Sequence, residues 1–118
     1  NNGLKNIYDA RKVASFYEAK NLIDRFTVSP INNSIVGLSK VLHFVNPEYF
    51  PIWDRRVALH FEIKYHYNIN RFENYIKYID FIESAHEHKS VNSLRSLISK
   101  NYNYDVTKTR ASELILFI

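Results

Sequence analysis

The chain has no cysteine. That absence excludes disulfides, thiolate metal sites and cysteine nucleophiles, and it fits a cytoplasmic protein. Only two glycines and three prolines interrupt the 118 residues, so helix-breaking punctuation is sparse. No apolar run approaches the roughly 18 residues that span a bilayer, and no basic, apolar and small-residue succession marks a signal peptide. A membrane partner is therefore not expected. There is no P-loop or dinucleotide fingerprint and no Gly-x-Ser-x-Gly elbow. The histidines form no metal-binding pattern: His86 and His88 diverge on a helical tail. The His-Phe-Glu run at 60–62 lacks the cysteines of a zinc deaminase signature. Neither a metal nor a cofactor is expected.

What is present is a globular composition, 46% hydrophobic. The length suits one domain over residues 1–118, and the opening Asn suits a piece of a longer protein. Lys and Arg outnumber Asp and Glu by 16 to 12, with a pI near 9.3. This mild excess is compatible with a polyanionic partner. Aromatic residues make up 15% of the chain. They suit stacking on bases and core packing equally.

Apolar spacing of three and four predicts an all-α fold, a compact bundle of about six helices. A first stripe runs over 4–26 (Leu4, Ile7, Tyr8, Ala14, Tyr17, Ile23, Phe26) and ends before Pro30. A second helix starts at Asn32 or Asn33 as N-cap and stops at Asn46 and Pro47. Residues 47–53 form a loop. Asp54 caps a third helix reaching about Lys64, and 65–70 form a turn, with strand an alternative over 63–69. Phe72, Tyr75, Ile76, Ile79 and Ile82 define a fourth helix that fades near 86–90. Ser90 caps a fifth, and a sixth begins near Thr109.

One charge stands out against this plan. On a helical wheel, Ile35, Leu38, Val41, Leu42 and Val45 fall on one side, while Val36 and Phe44 flank Lys40 on the other. Burial of both sides would strip water from the Lys40 amine and make it a nucleophile able to form a Schiff base. The alternative is an amine that extends past its apolar stem into water. Gly37, beside it, lets another group approach the backbone closely. Asp54 reads as an N-cap, and a carboxylate held there stays ionised and can stabilise a cationic transition state.

The stretch "GLSKVLHFVNPEYFPIWDRRV" resembles the lysine-to-aspartate signature of the 8-oxoguanine DNA glycosylase OGG-like family, within the helix-hairpin-helix DNA glycosylase superfamily. Ser39, Lys40, Leu42, Phe44, Pro47, Pro51, Ile52, Asp54, Arg56 and Val57 carry the likeness. The resemblance implies a helix-hairpin-helix glycosylase-like bundle that binds damaged duplex DNA. It implies Lys40 as the nucleophile at the sugar C1′, Asp54 as its helper, and strand cleavage by β-elimination after the base is flipped out. Gly37, in the hairpin, would then meet DNA. Arg55 and Arg56 oppose the dipole at a helix start, so phosphate contact and a salt bridge to a neighbouring helix are both open. His43, Phe50 and Trp53 either line a base pocket or, for Phe50 and Trp53, pin the loop to the core. The alternative function is a catalytically inactive DNA-binding or protein-interaction module on the same scaffold.

Overall fold

Ser15 and Glu18 decide how the chain begins. In the computed structural model, which describes residues 3–26, 29–31, 33–86, 92, 107 and 109, the Ser15 hydroxyl accepts the Glu18 N–H at 3.1 Å. The Glu18 carboxylate reaches back to the Ala14 N–H at 2.7 Å. This reciprocal cap starts a helix at Phe16, and Val13 before it is extended. The single helix expected over 4–26 is therefore divided into α1 (Gly3–Asp9), a 3₁₀ turn (Ala10–Lys12) and α2 (Phe16–Asp24). The division also re-aims the stripe. Leu4, Tyr8 and Tyr17 are exposed, while α2 buries Phe16, Ala19, Leu22 and Ile23.

The next helix, α3 (Ile35–Val45), starts one residue later than an Asn33 cap predicts and two later than an Asn32 cap. Ser34 is the N-cap, its hydroxyl accepting the Gly37 N–H at 3.0 Å. Asn33 instead takes the left-handed conformation, with φ 56°, which asparagine tolerates better than most residues. Asn70 secures the same corner from across the fold: its Oδ1 accepts the Ile35 N–H at 2.6 Å and its Nδ2 donates to the Asn33 carbonyl at 2.7 Å. The helix ends at Val45, as Asn46 and Pro47 predict. Asn46 donates from Nδ2 to the carbonyls of Ala10 and Val13, both at 2.9 Å, which ties the end of α3 to the 3₁₀ turn.

Two shorter helices follow, α4 (Arg55–His60) and α5 (His66–Ile69). The expected extension of α4 to Lys64 is not found. Glu62 turns left-handed with φ 63°, and the N–H groups of Glu62 and Ile63 close onto the carbonyls of Leu59 and Ala58 at 2.9 and 3.0 Å. This is a Schellman ending. The segment 63–69 forms no strand; its second half is α5, and the described residues contain no strand. The last described helix, α6 (Phe72–His86), matches its predicted span. The helices expected from Ser90 and near Thr109 lie outside the described residues, apart from single positions.

The core forms where α2 meets α6, the most extensive helix pairing among the described residues. Leu22, Ile23, Tyr75, Ile79 and Ile82 are fully buried, each contributing about 1.5–3 kcal/mol of apolar transfer. Lys20 on α2 crosses to Asp80 and to Glu83, the latter at 3.2 Å, on α6. On the other side α3 packs on α1 and the 3₁₀ turn, and buries Ile35, Leu38, Ser39 and Leu42. The architecture is all-α, with six helices among the described residues. None of these is long and apolar enough to cross a membrane.

Candidate functional site

The site suggested by the sequence joins α3 to the start of α4, and one hydroxyl makes the join. Ser39 is fully buried. Its Oγ accepts the Trp53 N–H at 2.9 Å and lies 3.0 Å from the Trp53 carbonyl oxygen. A hydroxyl has one proton to give, and here it is shared between that carbonyl and the carbonyl of Val36 at 2.8 Å. Residues 39 and 53 are thus clamped backbone to side chain in the interior. Lys40 and Asp54, each one residue further along, leave from neighbouring backbone.

Their side chains have different surroundings. Lys40 is exposed. The expected burial of both faces of α3 is not found, because Phe44 is 89% exposed and Val36 only half-buried. The wheel gave two apolar faces, but a neighbouring element covers only the one with Ile35, Leu38 and Leu42. The fold therefore does not desolvate the Lys40 amine, which matches the alternative of an amine extended into water. Asp54 is half-buried and is the N-cap of α4, its Oδ1 accepting the Val57 N–H at 2.9 Å. Lys40 and Asp54 do not form an ion pair.

Arg55 and Arg56 are the first two residues of α4 and are exposed. Gly37 lies in the first turn of α3. The group that approaches it belongs to this chain: a Cβ there would stand 2.9 Å from Cγ2 of Ile31.

Among the proposed base-pocket residues, Phe50 and Trp53 are buried at 0 and 1% exposure. Trp53 donates from Nε1 to the Ile69 carbonyl at 2.7 Å, and the Phe50 carbonyl faces Nδ1 of His43 at 2.8 Å. Both residues pin the 47–53 loop to the core, and neither presents an open face for a base beside Lys40. His43 remains half-buried. Because a carbonyl can only accept, its Nδ1 carries the proton, and a neutral ring then keeps Nε2 as an acceptor.

Sequence reasoning matched Ser39 to the motif without giving it a task. It missed Asn46, Asn70 and Thr109 as internal fasteners. Thr109 is fully buried. Its hydroxyl donates to the Glu48 carbonyl and accepts from Nε2 of His86 at 3.0 Å, joining the loop to the end of α6. No short-range signal marks such residues. Among the described residues no group of three or more His, Asp or Glu side chains is placed to hold a metal ion. No family model matches this chain, nor does any curated protein or solved structure.

Proposed function

We propose that this domain binds DNA and removes an oxidised purine of the 8-oxoguanine kind, with Lys40 as nucleophile and Asp54 as the fixed carboxylate beside it. The observation that carries this reading is the Ser39–Trp53 clamp, which starts both side chains from adjoining backbone. Asp54 is further restrained by its bond to the Val57 N–H, so its charge is held in place without reorganisation.

In this reaction the target nucleotide is extruded from the duplex. The exposed Lys40 amine gives up a proton to solvent and attacks C1′. The bond from C1′ to the base breaks, and its electron pair leaves with the base, which takes up a proton. Opening of the sugar ring at C1′ gives a Schiff base on Nζ. Loss of a proton from C2′ then expels the 3′ phosphate by β-elimination. Asp54 stabilises the positive charge that develops on the sugar. Arg55 and Arg56, exposed at the same corner, are suited to the flanking phosphates. A cytoplasmic site of action belongs to this reading and agrees with the lack of cysteine.

Borohydride reduction of the imine tests the proposal. A covalent adduct with an 8-oxoguanine duplex, lost in Lys40→Ala, is the expected result. Intact duplex with no adduct and no nick defeats it. The exposure of Lys40 favours a second reading, in which the scaffold binds DNA without cutting it. Equal affinity for damaged and undamaged duplex, falling steeply with salt, would establish that alternative.

A further inference from the structure

One cavity among the described residues has aromatic side chains as three of its six lining residues. Its volume is about 380 Å3, and Trp53, Phe61, Ile63, Asn74, Lys77 and Tyr78 line it. That size lies within the range of roughly 300–1,000 Å3 found for small-molecule sites, which are mostly apolar with a few convergent polar groups. The walls are held from behind. The Trp53 indole is fixed by its bond to the Ile69 carbonyl. Tyr78 packs on Trp53 with ring centroids 5.5 Å apart, and Phe61 packs on Tyr78 at 5.8 Å. The Asn74 amide is oriented by donating to the Asn68 carbonyl at 2.7 Å. A ligand would therefore meet a preformed surface, with little ordering left to oppose binding.

Charge at the mouth narrows the ligand class. The acids near Lys77 on α6 are already engaged: Glu73 with Arg71, and Asp80 and Glu83 with Lys20. Glu62, between two lining residues in sequence, is exposed and does not line the cavity. Lys77 makes no ion pair among the described residues, and it borders the cavity instead. A cation at the rim of an aromatic hollow selects for an anion attached to a flat ring.

We infer that this cavity binds a small flat aromatic acid, its rings against the half-buried Phe61 and Ile63, next to the buried Trp53, and its carboxylate at the exposed Lys77. A cavity of about 150 Å3 already admits benzene, so about 380 Å3 accommodates two fused rings and a short acidic group. Lys40 and Asp54 do not line the cavity, so the inference does not depend on the chemistry proposed for them.

The single tryptophan of the chain makes the test direct. Its indole N–H gives one resonance in a nitrogen-15-labelled spectrum, and Trp53 lines the cavity. Naphthalene carboxylate and the neutral naphthalene methanol are titrated into the full chain. The acid is expected to shift the Trp53 resonance at lower concentration than the alcohol. Lys77→Gln keeps the chain stem but not the charge. It is expected to weaken the acid about fivefold, a discounted charged hydrogen bond at an exposed site, and to leave the alcohol unchanged. Ile63→Phe, which narrows the hollow without adding a second indole, is expected to weaken the response to both, with circular dichroism reporting that the helices persist. Equal binding of acid and alcohol, or no effect of Lys77→Gln, overturns the inference. So does a shift produced by a DNA strand but by neither naphthalene compound, which would make the hollow a site for bases.

Discussion

Ser39 and Trp53 exchange hydrogen bonds across 14 residues of chain, the serine hydroxyl meeting both the N–H and the carbonyl of the tryptophan. The contact is buried, so water cannot replace it. It decides where α4 begins relative to α3, and hence how Lys40 and Asp54 are disposed.

Ser39→Ala removes one oxygen and leaves the Trp53 backbone N–H without its acceptor in the interior. The expected loss is about 1–3 kcal/mol of unfolding free energy, read from the midpoint of a urea titration. In the proposed enzyme the same substitution lowers adduct formation although it touches neither reacting residue. An unchanged midpoint would show that the loop is fixed by Phe50 and Trp53 packing alone.

Asp54 has a structural duty and a proposed chemical one, and two substitutions separate them. Asparagine is as good an N-cap as aspartate, whereas alanine lacks the acceptor. Asp54→Asn is expected to keep the stability within a few tenths of a kcal/mol, and Asp54→Ala to lose about 1 kcal/mol. If the carboxylate charge serves the chemistry, both variants lose borohydride trapping alike. Trapping that survives in Asp54→Asn and fades only in Asp54→Ala would reduce Asp54 to a cap.

The features legible in the sequence were those fixed by near neighbours. Asp54 lies next to the helix it caps, Asn46 and Pro47 stop α3 locally, and α6 repeats its apolar residues without interruption. The capping pair Ser15 and Glu18 was equally local, yet a continuous apolar stripe over 4–26 concealed it. What could not be read were contacts between distant positions. The Asn46 amide finds Ala10 across 36 residues, and Asn70 finds Ile35 across 35. Phe44 shows the same limit on the surface. A helical wheel identifies apolar faces, but only the tertiary fold says which face acquires a neighbour. For the candidate site this was decisive, because the chemistry inferred for Lys40 assumed a cover over Phe44 that the fold does not provide.

Lys20 ties α2 to α6 and titrates accordingly. Its hydrogen bond to Asp80, with Glu83 adding to it against a partial loss of hydration, holds the amine above the ordinary lysine value of 10.5. A raised folded-state pKa means that the stabilisation is complete below the unfolded value and is lost as pH rises through the folded one. Stability measured against pH is therefore expected to fall above about pH 10.5 more steeply in the natural chain than in Lys20→Met. Near neutral pH the substitution costs about 0.5–1 kcal/mol, since the partners are largely in water. Identical alkaline profiles for the two proteins would remove the bridge from the account of how α2 and α6 are held.

Glu62 ends α4 in a conformation that suits glycine. The Schellman bonds to Leu59 and Ala58 require the left-handed turn, and a side chain there costs roughly 1–2 kcal/mol. Glycine relieves that strain but loses more backbone freedom on folding, by roughly 0.5–1 kcal/mol. The difference favours Glu62→Gly by about 0.5 kcal/mol, measurable as a higher thermal midpoint. Alanine at the same position keeps the Cβ and removes the charge, so it is expected to leave the midpoint nearly unchanged. A gain with alanine equal to that with glycine would assign the effect to charge and not to backbone geometry. Because the turn places Phe61 and Ile63 on the wall of the aromatic cavity, the glycine variant should also retain that hollow, and its response to naphthalene carboxylate should match that of the natural chain.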